Sequence, residues 1–329
     1  MSRLFAAEWS RLFSRRVTLV TLVLIGGLLA VLTFGFTLTR STPTPDEIES
    51  AKVNAASAAE VWDSNVDRCG KVQSGLENAE PNEHFPRGCD YGSRPTPESM
   101  LQYGFSFHRQ WPSLFYTAAI VLAVAGFVLG ASFVGVEWSS GGMANLLLWA
   151  PRRGAVLGAK LLAACAGVGL ISLVYLTLWT AAFMAVAAGN GTVSQMTGGE
   201  FGSLVLTGVR VVLLAVAGTA LGFAIASLGR HTSTALGVGM AYLLIYELGA
   251  LILFGVIQTV DYSQHYRLSS YISAWLTKGF TFDTDAACSG CVPAAGFSGS
   301  WQQGGLVIAA VVALLVMAAF VSMHRRDAR

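Results

Sequence analysis

The chain has 329 residues, of which 53% are hydrophobic and only 12% charged, and its formal net charge is +2. So little charge cannot cover the surface of a soluble domain of this length. A net charge this small also gives no electrostatic footprint for nucleic acid. The apolar residues lie in long blocks, and a bilayer core about 30 Å thick takes roughly 20 of them in a helix to cross.

Residues 1–16 come first. Phe5, Trp9, Leu12 and Phe13 recur at helical spacing and form one apolar face, with Arg3, Arg11, Arg15 and Glu8 expected on the other side. That pattern is an amphipathic helix on the inner membrane surface, either a plain anchor or an elbow that braces the bundle. No charge falls between Arg16 and Arg40, so 17–38 is the expected first span. It is too long for a signal-peptide core and ends without a small-x-small cleavage site, and it is read as retained.

A polar segment, 39–112, follows. Ile48, Ala51, Ala55, Ala58 and Trp62 are helically spaced among acids from Pro45 to Val66, which predicts a helix there. Span two is expected at 113–134, span three at 157–188, span four at 204–228, span five at 233–257 and span six at 303–323. The link 135–156, the loop 258–302 and the tail 324–329 remain between and after them. Within the loop, the apolar stretch Leu268 to Phe282 is expected to lie on the interface or to re-enter it as short helices.

Charge sets the orientation. Arg3, Arg11, Arg15, Arg16, Arg152, Arg153, Lys160, Arg230, Arg325, Arg326 and Arg329 fall on one side, with few acids. Asp46, Glu47, Glu49, Glu60, Asp63 and Asp67 fall on the other. The positive-inside rule then makes both termini cytoplasmic in a multi-pass plasma-membrane protein. The cysteines agree with this. Cys69 and Cys89 share one external segment, Cys288 and Cys291 share the other, and Cys165 sits in a span. Two external pairs suit disulfides in an oxidising compartment. The Cys288-Ser-Gly-Cys291 spacing also fits a redox motif or half a zinc site, although no second Cys-x-x-Cys accompanies it. The expected fold class is an all-α polytopic membrane protein. It has six transmembrane helices, an N-terminal amphipathic elbow helix, and a small disulfide-stapled external helical cap between spans one and two.

Three features carry functional information. The link between spans two and three opens with Glu137 and Trp138 and passes Gly142. It then holds a short helical pattern from Met143 to Trp149 and closes with Pro151, Arg152 and Arg153. Such a compact helix suits a membrane domain that a separate protein pushes on, and an interfacial hairpin without a partner is the alternative. Arg210 in span four and Glu247 in span five are intramembrane charges. They lie about 10 and 15 Å below the outer surface at roughly 1.5 Å per residue, close enough in depth to pair. Charge at that depth faces the bundle, as a packing salt bridge or as a polar pathway. Finally, Gly126-x-x-x-Gly130 and Gly218-x-x-x-Gly222 permit close helix approach. No catalytic set or metal cluster stands out, since His84 and His108 are isolated.

This layout, with its Glu, glycine turn, apolar stretch and Pro-Arg-Arg before span three, resembles the permease subunits of ABC-2-type ATP-binding-cassette exporters. The resemblance implies a non-catalytic chain that exports a substrate with energy from a separate ATPase. It implies two ATPase copies and a second permease copy or related chain, in membrane lipid and without nucleic acid. Glu137, Trp138, Gly142, Pro151, Arg152 and Arg153 would then lie at or beside the ATPase, offering charges that pair across a rim. The chain has no Gly-x-x-x-x-Gly-Lys-Ser/Thr loop, so it is expected to bind no cofactor, with ATP and Mg on the partner. An ion-coupled secondary transporter would need more intramembrane ionisable groups and, in many folds, internal repeats. A structural or immunity protein would need no ATPase.

Overall fold

In lipid a backbone must satisfy its own hydrogen bonds, so long uncharged runs fold as helices. The computed structural model of this chain is accordingly mostly helical. It describes residues 2–38, 44–78, 89, 91–100, 105–149, 153–192, 198–249, 252, 267–282 and 297–325. In chain order the helices are α1 (Ser2–Ser14), α2 (Arg16–Leu38), α3 (Pro45–Gln73), α4 (Pro97–Met100), α5 (Phe107–Ser139) and α6 (Gly142–Trp149). They continue with α7 (Arg153–Asn190), α8 (Gly198–Gly229), α9 (Thr232–Ala241), α10 (Leu268–Thr277) and α11 (Trp301–Arg325).

Among the described residues, five helices are long and apolar enough to cross a membrane: Arg16–Gly35, Ser113–Ser139, Arg153–Val186, Phe201–Gly229 and Trp301–Arg325. The stretch expected as span five behaves differently. At Tyr242 it widens into a π-helical segment, Tyr242–Leu248, and most of 250–257 lies outside the described residues. The i→i+5 bonding of a π-helix brings Tyr242 near Glu247, and the phenol donates to the carboxylate at 2.5 Å. Two short ladders also depart from the all-α expectation. Strands β1 (Phe105–Ser106) and β2 (Gly191–Thr192) pair in parallel, and β3 (Gly279–Phe282) and β4 (Phe297–Ser300) pair antiparallel. The stretch expected to be an apolar interfacial patch therefore divides into α10 and β3.

The chain forms two compact units. One comprises Leu32–Phe107 and Phe183–Ser194. Its main helix, α3, starts with a capping box in which Thr44 and Glu47 satisfy each other's backbone N–H groups. The helix runs past Val66 and buries Ala51, Ala55, Ala59 and Cys69, whereas Ile48 stays exposed. The return segment is held by the Cys69–Cys89 disulfide and by Arg94, which clasps Asp63 with bonds of 2.9 and 2.5 Å. The same guanidinium holds the exposed Asp63 carboxyl below its ordinary range. Trp62 donates to the Tyr91 carbonyl at 3.4 Å.

The other unit comprises Met1–Val31, His108–Ala182 and Gln195–Arg329. Its centre is the crossing of α5 and α8, where the two glycine motifs mesh. A Cβ on Gly126 or Gly130 would lie 2.5 or 2.1 Å from the carbonyl oxygens of Ala215 or Thr219. A Cβ on Gly218 or Gly222 would lie 2.5 or 2.1 Å from those of Ala123 or Phe127. Only glycine allows such contact. Helix α10 packs on α11 and α8, and Gly304 admits the Tyr271 carbonyl, which a Cβ would meet at 2.5 Å.

Candidate coupling site

Helix α1 turns Glu8, Leu12 and Arg15, spaced four and three residues apart, towards the bundle. The sequence pattern had put Glu8 and Arg15 on the outer face. Instead Glu8 and Leu12 are each 1% exposed, because a cation awaits Glu8 inside and an apolar core awaits Leu12. Leu12 fills the notch at Gly167 of α7, where a Cβ would come within 2.2 Å of its Cδ2.

The partners come from α5 and α7. Lys160, fully buried on α7, places Nζ 2.6 Å from Glu8 Oε2 and 2.6 Å from Glu137 Oε2. Arg15 donates Nη2 to Glu137 Oε1 at 2.5 Å and Nη1 to the Phe133 carbonyl at 2.9 Å. Arg11 reaches the other oxygen of Glu8 at 3.2 Å from a half-exposed position. The Phe133 ring lies 4.6 Å from the Arg15 guanidinium and 5.4 Å from Lys160 Nζ. Two carboxylates thus meet two inner cations over an aromatic face, beside the C-terminal end of α5, where positive charge is favoured. Such burial is tolerated only because each charge has partners.

An apolar core lies against this network. Leu12, Phe133, Met143, Leu157, Phe223 and Met323 belong to one cluster, which fastens α1, α5, α6, α7, α8 and α11 at one end of the unit. Met143 anchors α6 there, while Asn145 on the same helix is exposed.

The residues expected to meet an ATPase fall into different places. Glu137 does not offer its charge outward, since its carboxylate is occupied by Arg15 and Lys160. Trp138 lies under the Arg230 guanidinium at 4.9 Å. The left-handed turn belongs to Gly141, with φ 73°, and Gly142 instead opens α6. Arg153 is the first residue of α7 and partly buried. Pro151 and Arg152 lie outside the described residues, as do Cys288 and Cys291.

Arg210 and Glu247 do not pair. Glu247 is bound by Arg267 through Nε and Nη2 at 3.1 and 3.0 Å, and by Ser269 through its N–H and hydroxyl at 3.1 and 2.8 Å. Arg210 instead stacks near Trp301 and Trp275, at 4.7 and 5.6 Å. Similar depth was a poor guide because α10 brings its own cation, Arg267, to Glu247. The sequence reading also missed Glu8, Arg15 and Lys160 as a set. Their signals were the spacing of Glu8, Leu12 and Arg15 and a lone lysine in an otherwise apolar stretch.

The model of the ABC-2 family transporter proteins matches residues 5–327. The chain belongs to the ABC-2 transporter family. The match takes in both the buried ion network and the Arg210 cluster. Permeases of this family generally work with an ATPase partner. None of the individually curated proteins matches the chain.

Proposed function

We propose that this ABC-2 protein is the permease subunit of an exporter, moving a substrate outward when a separate ATPase acts on it. The observation that carries the proposal is the buried ion network of Glu8, Arg15, Glu137 and Lys160 beside α6. A force applied to a short helix reaches the spans only if that helix is rigidly attached to them. Met143 attaches α6 through the apolar core, and Glu137 and Lys160 lock the adjoining helix ends to α1. Glu137 then acts as a positioning residue, and the exposed face of α6 around Asn145 supplies the contact with the ATPase.

In this reading α1 is the elbow, the stretch from Thr232 onward completes a sixth span, and both termini are cytoplasmic, as the arginine distribution favours. The disulfide-held unit is an external cap. The chain does no chemistry of its own and holds no cofactor, and ATP and Mg belong to the partner. Two ATPase copies serve two permeases, either identical or related.

The test is purification from native membranes in mild detergent, with ATPase activity and subunit stoichiometry measured on the eluate. Asn145→Arg, which leaves the ion network untouched, is expected to shed a co-purifying ATP-binding-cassette subunit without changing Tm. A preparation free of any nucleotide-binding partner overturns the reading.

A further inference from the structure

At the other end of the same unit, a buried cation has no counter-charge among the described residues. Arg210 lies sixteen residues along α8 from Ala226 of the apolar core, about 24 Å at 1.5 Å per residue. Its side chain belongs to a residue only 4% exposed, and among the described residues its Nη1 is buried without a hydrogen-bond partner. Glu247, the carboxylate expected to lie near it in depth, is taken by Arg267. The guanidinium is nevertheless held in position. Trp301 and Trp275 stand 4.7 and 5.6 Å from it, and their rings lie 6.0 Å apart. Trp275 also donates Nε1 to the Arg210 carbonyl at 3.0 Å. The two rings therefore fix the cation while leaving a donor unspent.

The depth of the cluster narrows what fills it. Trp301 is the first residue of α11, a membrane-crossing helix. Tryptophan at the end of such a helix sits at headgroup level. Lys278, at the end of α10, bonds the Ser203 hydroxyl two turns further along α8 and adds a second cation on that side. A planar guanidinium with an edge free of described partners matches a phosphate group in geometry and charge, and an unpaired buried charge is too costly to leave unanswered.

We infer that Arg210, Trp275 and Trp301 form a binding site for one phosphate group at the membrane interface, from a lipid headgroup or from free phosphate. The site is separate from the coupling end and does not depend on the exporter reading.

The experiment uses the full chain in a maltoside detergent, stripped of lipid. It measures Tm during titration with phosphatidylglycerol, inorganic phosphate or neutral diacylglycerol, and counts retained lipid by native mass spectrometry. Phosphatidylglycerol is expected to raise the Tm of the wild type by several degrees, and the wild type should retain one more such lipid than Arg210→Gln. A rise with inorganic phosphate that is lost in Arg210→Gln supports the site and identifies free phosphate as sufficient. Should Arg210→Gln fail to fold, Arg210→Lys and Trp301→Leu, which keep a cation, are expected to weaken the response without abolishing it. Equal response to diacylglycerol, equal response in the Arg210 variants, or no response to either phosphate source overturns the proposal.

Discussion

Replacing Lys160 with methionine tests the buried ion network most directly. Methionine keeps an unbranched apolar stem but removes the charge that lies 2.6 Å from each of two carboxylates. Glu137 keeps Arg15 at 2.5 Å and has a 13% exposed side chain. Glu8 is 1% exposed and, among the described residues, keeps only Arg11, which is itself 51% exposed. The penalty therefore falls on Glu8. Stranding one partner of a buried pair costs about 3–5 kcal/mol, and a half-exposed contact such as Arg11 offsets no more than about 1 kcal/mol of that. With about 2–4 kcal/mol remaining and roughly 2–4 °C lost per kcal/mol, Tm should fall by about 4–16 °C. Glu8→Gln combined with Lys160→Met removes the stranded charge. The double variant should recover at least about 1.5 kcal/mol relative to the sum of the single changes. Thermal unfolding in detergent, followed by near-ultraviolet circular dichroism, reads all four corners of the cycle. Additive effects, or a Lys160→Met protein within about 1 °C of wild type, would refute the reasoning.

Other predictions concern the remaining features. Gly222→Ala puts a methyl 2.1 Å from the Phe127 carbonyl, whereas Gly237→Ala meets nothing within 4 Å. The first should lower Tm by an amount set by about 1–3 kcal/mol of overpacking. The second should be neutral or stabilising by up to about 1 kcal/mol through helix propensity. Removing the Cys69–Cys89 bond, which spans 20 residues, should weaken its unit by about 2–4 kcal/mol. That loss would appear as faster hydrogen exchange in α3, with exchange in α5 and α8 unchanged. Asp63 has a folded pKa below its ordinary value of 3.8, so its bond with Arg94 contributes stability above that value and loses it as pH falls lower. Exchange protection at Asp63 and Arg94 should therefore drop in acid, and Asp63→Asn should remove that pH dependence, as should high salt in large part.

The membrane-crossing helices were legible because their cause is local. Arg16 and the run beyond it up to Leu38 announce a helix with no help from the rest of the chain, and the glycine pairs announce close contact. Their assignment to one crossing, of α5 with α8, needed three dimensions. The charges were misread for the same reason. Which way Glu8 points depends on Lys160, 152 residues away, and Glu247 chose Arg267 over Arg210 because α10 folds back over it. The π-helical widening at Tyr242 left no trace in hydrophobic periodicity, since every residue from Leu243 to Ile245 is apolar.

The meshed glycines of α5 and α8 limit how this protein can change shape. Each carbonyl sits in a notch whose neighbour is four residues along, about 6 Å at 1.5 Å per residue. Sliding one helix past the other therefore means lifting four carbonyls out together and dropping them a full notch further on. Smaller displacements have no resting place. The pair behaves as a keyed shaft that rotates or tilts as one piece, and in the proposed exporter a push on α6 would be taken up where α9 and α11 ride against it.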